Sequence, residues 1–210
     1  MTEDEARSWI RERFGVPRET LLDRFAALLR DEAAHQNLIS TASFDSLWAR
    51  HFVDSAQLIP LAAEAGAGKG GGWLDVGTGA GMPGLVVAAL LDRPMVLVEP
   101  RARRADFLRR AADALGIASR VTVEQRKIEA LRLARAAAVV SARAVAELGQ
   151  LLQSTAHCTD SSTIWLLPKG RSAQSEVDAA RAKWQGVFHV EPSITSPESG
   201  IVIASGVRPR

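Results

Sequence analysis

Residues 73–84 read Trp73-Leu74-Asp75-Val76-Gly77-Thr78-Gly79-Ala80-Gly81-Met82-Pro83-Gly84. An apolar strand reaches Asp75, a turn rich in glycine follows, and Pro83 opens a helix. Glycines let the backbone take positive φ and approach a ligand with no Cβ in the way. Proline suits a first helical position, where its missing N–H is not needed. Loops of this kind hold nucleotide-like cofactors against a helix N-terminus. Residues 79–84 also satisfy G-x-G-x-x-G, the dinucleotide fingerprint, so an NAD enzyme is one reading. In that fold, however, the first glycine follows the strand directly, whereas here Asp75 to Thr78 intervene. A carboxylate at Asp75 would repel a pyrophosphate and suit a cationic ligand. S-adenosylmethionine, with its sulfonium and ammonium groups, fits better. A purely structural glycine turn is the third reading.

The next strand supports a nucleoside ligand. Met95-Val96-Leu97-Val98 is apolar and ends at Glu99, 22 positions beyond Gly77. An acid about 20 residues after the glycine loop is where a ribose hydroxyl pair binds. NAD and S-adenosylmethionine would both use it, so Glu99 does not choose between them.

The chain has 210 residues, enough for one domain with an appendage. No apolar run approaches the length of a membrane span, and the acidic, polar start Thr2–Trp9 is unlike a signal peptide; a cytoplasmic protein is expected. Cys158 is the sole cysteine, which leaves no disulfide framework. His35, His51, His157 and His189 show no ligand spacing, so no metal is expected. Net charge is only +2, but residues 101–135 carry ten Lys/Arg against four acids. That asymmetry suits contact with a phosphate backbone, although arginines on a helix are as often a solvated face.

Leu21, Leu22, Phe25, Leu28 and Leu29 recur at helical spacing, as do Phe44, Leu47, Trp48, His51 and Phe52 after Ser43, a candidate cap. Residues 66–72 (GAGKGGG) read as a flexible joint. Strands and helices then alternate: Trp73–Val76, a helix from Pro83, Met95–Glu99, a helix from Arg101, Val121–Glu124, a short helix near Ile128, Ala137–Ser141, a helix from Val145, Thr163–Leu167. Gly186–Val190 and Ile201–Ala204 read as two further strands around Ser196-Pro197-Glu198-Ser199-Gly200. The expected fold is α/β, a Rossmann-like, mostly parallel seven-stranded sheet ending in an antiparallel hairpin. Residues 1–66 form an N-terminal helical extension and 67–210 one compact domain. Trp9, Trp48, Trp165 and Trp184 are expected to pack rather than stack on bases.

Chemistry narrows the methyl acceptor. Methylating carbon 5 of cytosine needs a cysteine nucleophile, and Cys158 is isolated. Amino-group methylation of bases commonly uses an Asn/Asp-Pro-Pro-Tyr/Phe loop after the fourth strand. This chain has no tyrosine, and its fourth strand runs into Ser141-Ala142-Arg143-Ala144. Guanine N7 needs neither device, because its lone pair is free in the neutral base and positioning suffices.

Arg50-His51-Phe52-Val53-Asp54-Ser55, the glycine loop, Arg103-Arg104-Ala105-Asp106-Phe107-Leu108, Ala142-Arg143-Ala144 and Pro168-Lys169-Gly170 occur in this order. From about Leu38 to the C-terminus the set resembles the bacterial 16S ribosomal RNA guanine-N7 methyltransferase family, RsmG or GidB. The glycine loop is shared by many methyltransferases; the Arg-His-x-x-Asp-Ser element upstream of it is much more specific. The resemblance implies a class I S-adenosylmethionine-dependent methyltransferase fold with an N-terminal helical extension. It implies action on guanine 527 of 16S rRNA, alone or in the small ribosomal subunit; a monomer is the default expectation. Asp75, Gly77, Gly79, Gly81 and Met82 would form the cofactor loop, Glu99 would take the ribose, and Ile128 and Glu129 would flank the adenine. Arg143 would face the cofactor or the incoming base, with His51 and Asp54 bracing the mouth of the active site. Arg50, Arg103, Arg104 and Lys169 would meet the RNA.

Overall fold

The computed structural model of the chain describes residues 1–68 and 70–210; Lys69, in the GAGKGGG joint, lies outside the described residues. Seven strands make one sheet: β1 Trp73–Val76, β2 Met95–Val98, β3 Val121–Glu124, β4 Val139–Ala142, β5 Ile164–Gly170, β6 Trp184–Ser193 and β7 Ser196–Pro209. Their order is β3-β2-β1-β4-β5-β7-β6. The first five run parallel, and β7 pairs antiparallel with both β5 and β6. The order reverses beside β1, which pairs with β2 on one side and β4 on the other. Open α/β sheets bind ligands at such a reversal, outside the carboxyl ends of the strands.

β1 is buried along its whole length, as parallel strands covered on both faces are. Its side chains alternate. Leu74 and Val76 join an apolar layer with Leu151, Leu152, Trp165 and Val177. That layer is roofed by α7 (Leu148–Thr155) and α8 (Ala173–Ala180). Trp73 points the other way, into a larger cluster that also holds Leu85 of α5 (Gly84–Leu90) and Phe107 of α6 (Ala102–Ala114). The helices α1 (Glu3–Phe14) and α2 (Val16–Ala33) pack on the same side, contributing Ile10, Leu22 and Phe25 to that cluster. Phe25 stacks on Phe52 and Phe107 at centroid distances of 5.7 and 6.5 Å. The N-terminal helices therefore share a core with the sheet.

Several boundaries differ from the sequence reading. The polar start forms α1, closed by a capping box in which Glu5 N donates to Thr2 Oγ1 and Thr2 N donates to Glu5 Oε2. Ser43 is no cap: it lies inside a 3-10 turn, Thr41–Ser46, whose cap is Ser40. Trp48–Val53 is a π-helical turn running into α3 (Asp54–Ala56), and α4 (Leu58–Glu64) follows. Such turns are a way of re-aiming side chains inside a helical run. Glu3 holds this one, accepting from Trp48 N at 3.0 Å and Ala49 N at 2.8 Å. The joint at 66–72 is tied rather than loose in its described part, because buried Arg93 donates to Gly68 O and Gly71 O. Near Ile128 there is only a 3-10 turn, Ile128–Ala130. The helix expected from Val145 starts at Leu148, leaving 143–147 as a loop. Residues 196–200 belong to β7, so the hairpin turns earlier, at Ile194 and Thr195. Trp48, Trp165 and Trp184 are buried.

Candidate active site

The glycine loop leaves β1 at the reversal point. Gly77, Gly79 and Gly81 have φ of +66°, +58° and +99°, values that side chains resist. A Cβ at Gly81 would stand 2.7 Å from Phe25 Cζ, so the loop also lies against the N-terminal helices. Gly79 N donates to Glu99 Oε2 at 3.0 Å and Arg101 N to Glu99 Oε1 at 2.9 Å. Glu99 thus spans from the end of β2 to the loop. Each of its oxygens has a second lone pair left for a hydroxyl donor. The chemistry of the loop's backbone groups and of this carboxylate fits the methionine end and the ribose of S-adenosylmethionine.

Asp75 requires a correction. It is fully buried, on the side of β1 that faces α5. Its Oδ2 accepts from Gly84 N at 3.0 Å and its Oδ1 from Ser141 Oγ at 2.6 Å, while Ser141 accepts from Trp73 Nε1 at 2.8 Å. The carboxylate has no surface to offer a sulfonium or ammonium group; it ties β1, β4 and the first residue of α5 together beneath the loop. Burial pushes its pKa up to about 6, against the pull of its Ser141 and Gly84 donors. The Met82 side chain is buried in the core, which leaves its backbone to line the loop. Ile128 is buried at the edge of the other apolar layer and Glu129 is exposed.

Across the reversal, β4 ends in Ala142 and presents Arg143. Its guanidinium donates to Asp54 Oδ2 at 3.1 Å and lies 3.0 Å from His51 Nδ1. The π-helical turn brings these two side chains to one place, 89 and 92 positions away from Arg143. Arginine has only donors, so His51 Nδ1 must offer its lone pair and the imidazole proton sits on Nε2. Burial, then the Arg143 charge, lowers the His51 pKa to about 4, with Asp54 opposing and Arg50 adding to the fall. His51 is neutral at physiological pH.

That shift has a measurable sign. An unfolded histidine protonates near its ordinary value of 6.5 and the folded one only near about 4. The unfolded state binds more protons between these values, so the contribution of His51 to stability is intact above the upper one and is lost as pH falls towards the lower. Urea midpoints measured from pH 7 to pH 4 should fall, and His51→Gln should flatten part of that slope. An unchanged slope would exclude His51 as its source.

Lys169 also departs from expectation. Its side chain is only 9% exposed and forms an ion pair with Glu176 at 2.9 Å. Nζ also donates to Ala146 O. Glu176 in turn accepts from Leu148 N at 2.8 Å and Ser172 Oγ at 2.7 Å, and these donors with Lys169 hold its carboxyl below the usual range despite burial. Lys169 therefore fastens loop 143–147 and is not a free cation for phosphate. Arg50 and Arg103 are exposed, whereas Arg104 is half-buried, with Nη2 3.4 Å from Asn37 O. Loop 143–147 lies over the glycine loop, since a Cβ at Gly77 would meet Val145 Cγ2 at 2.6 Å. On its other side opens a groove of about 560 Å³, bordered by Asp54, Arg143, Glu147, Pro168, Ser193 and Gly200.

The model of the family rRNA small subunit methyltransferase G matches residues 18–199. The chain belongs to that family. A Ribosomal RNA small subunit methyltransferase G from Rhizorhabdus wittichii is 50% identical, covering 100% of this chain and 95% of the relative. One from Zymomonas mobilis is 40% identical, over 100% and 96%. Among solved structures, cofactor-bound Rv0187 from MTB superposes with a TM-score of 0.65 at 16% identity, over 98% of this chain and 97% of that one. The O-methyltransferase TomG from Streptomyces achromogenes, in complex with SAM, gives 0.59 at 12% identity, over 88% and 89%. At that identity the likeness concerns the fold, which is that of class I methyltransferases. Membership in the methyltransferase G family decides against the dinucleotide reading of Gly79–Gly84. Gln57, Ser141, Glu176, Ser193 and Thr195 were not anticipated from sequence: none sits in a motif, and their roles arise from contacts across the fold. Among the described residues no helix is long and apolar enough to cross a membrane, and no group of three His, Cys, Asp or Glu is placed to hold a metal.

Proposed function

We propose that this protein transfers the methyl group of S-adenosylmethionine to N7 of guanine 527 in 16S rRNA, as a monomer in the cytoplasm. The observation that carries the reading is the placement, at the reversal of the sheet, of the glycine loop and Glu99 on one side of loop 143–147 and of Arg143 with His51 and Asp54 at the groove on the other, in a chain of this family. S-adenosylmethionine supplies an electrophilic methyl group on a sulfonium centre. Glu99 would hold the ribose, the loop N–H groups and carbonyls the methionine end, and Ile128 and Glu129 the adenine. Asp75 and the buried Met82 side chain support the loop from below. Arg143 faces the groove and orients the guanine.

No general base is needed, because N7 attacks with its own lone pair and positioning supplies the acceleration. The state of His51 agrees with this: its Nδ1 is occupied by Arg143 and is no free base. Arg50 and Arg103 offer exposed cations to the phosphate backbone, with Arg104 beside them. The test is transfer from labelled S-adenosylmethionine to small subunits and to naked 16S rRNA, both lacking the modification. Label recovered as 7-methylguanosine at the stated position is the expected result, and the better substrate reveals the assembly stage. Label on another nucleotide, or none with the cofactor bound, would overturn the acceptor.

A further inference from the structure

We propose that the turn between β6 and β7, through Ser193 and Thr195 together with Gln57, positions Asp54 so that Arg143 is held towards the groove during transfer. This rests on the reading of Arg143 given above. The two oxygens of Asp54 have separate duties. Oδ2 takes Arg143; Oδ1 accepts from Gln57 Nε2 at 3.0 Å and from Thr195 Oγ1 at 3.1 Å, with Ser193 Oγ at 3.4 Å.

Counting hydrogens fixes the direction of this network. Ser193 Oγ accepts from Gln57 Nε2 at 3.0 Å and from Thr195 N at 3.2 Å, which fills both lone pairs. Its one hydrogen then goes to Thr195 Oγ1, at 2.9 Å the nearer acceptor. Thr195 in turn has one hydrogen, and Asp54 Oδ1 receives it. The Gln57 amide cannot flip, because its Oε1 accepts from Ile194 N at 3.0 Å. Ser193 and Gln57 are buried, at 4% and 3% exposure. The network thus delivers Gln57 Nε2 and Thr195 Oγ1 to one carboxylate oxygen and leaves the other for the arginine.

The carboxylate torsion of an aspartate is broad, and the long Arg143 stem does not fix its own head. The hairpin turn supplies what both lack. Gln57, Ser193 and Thr195 touch no reacting atom in this arrangement, so they are positioning residues.

The test compares Thr195→Val, which keeps the shape and removes the hydroxyl, with Thr195→Ser, which restores it. Single-turnover transfer and cofactor binding are measured on the full chain with unmodified small subunits. Removing one hydrogen bond to a charged group should lower kcat about tenfold, with the Kd for S-adenosylmethionine unchanged, and serine should recover most of the loss. Ser193→Ala should act in the same direction and serves if Thr195→Val does not fold. Wild-type kcat in both Thr195→Val and Ser193→Ala overturns the proposal. So does a loss that serine fails to rescue and that follows the melting temperature. An Arg143→Ala control with full activity would instead remove the reading of Arg143, and this proposal with it.

Discussion

Arg143→Ala should lower methyl transfer by about 10²–10³-fold, the cost of deleting one preorganised donor from an active site, and should leave the fold standing. The fold survives because the Asp54 carboxylate keeps Gln57 and Thr195 on Oδ1, and Arg143 itself is 20% exposed, so water can reach what it leaves behind. His51 regains a free Nδ1, and its pKa should rise towards the ordinary value once the Arg143 charge is gone. Arg143→Lys is a sharper probe. An ammonium is a point charge and cannot bridge His51 and Asp54 in one plane as a guanidinium does. Lysine should therefore restore little activity. Single-turnover rates with saturating cofactor, together with a far-ultraviolet spectrum, check both halves; an active alanine variant would remove Arg143 from the site.

Gly84→Ala should be severely damaging for the addition of a single methyl group. A Cβ there would stand 2.4 Å from Leu97 Cδ2 and 2.6 Å from Asp75 Oδ2. Both neighbours are fully buried, and Asp75 is pinned by Ser141, so neither has room to retreat. Overpacking and the strained Asp75 hydrogen bond together should cost about 3 kcal/mol, which for a chain of this size lowers Tm by about 10 °C. Cofactor affinity should fall in the same variant, because Asp75 carries the floor of the glycine loop. Gly77→Ala gives the contrast. There the clash is with Val145, which is 45% exposed and free to turn aside, leaving mainly the cost of a positive φ. Calorimetry separates the two cases, and equal losses of Tm would show that Val145 is as fixed as Leu97.

What was legible in the sequence was whatever local pattern dictates. β1, β2 and β3 are short β-rich runs, and the turn after β1 announces itself by its glycines. The Arg50–Ser55 element holds His51 and Asp54, which the structure brings to Arg143, although nothing in its apolar spacing distinguishes an α-helix from the π-helical turn that aims them. The errors share one cause. Asp75 looks like a charge offered to a ligand because a strand end looks open in one dimension; the alternation of β1 turns it inward, onto Gly84. Lys169 looks available to RNA in the sequence because its partner, Glu176, lies on the following helix and carries no motif. Thr195 reaches Asp54 across 141 positions, and a single sequence holds no record of such a meeting. Residues 145–147 read as the start of a helix because they are ordinary helix formers; the ties from Lys169 and Glu176 decide otherwise.

The position of β7 has a genetic consequence. The last strand in sequence lies inside the sheet, between β5 and β6. A premature stop just after Ile194 would preserve every residue of the recognised motifs and still remove Thr195, uncover the edge of β5 and leave β6 with no neighbour. Such a late nonsense allele should behave as a null, and the enzyme cannot come into being while its final strand is still within the ribosome that is making it.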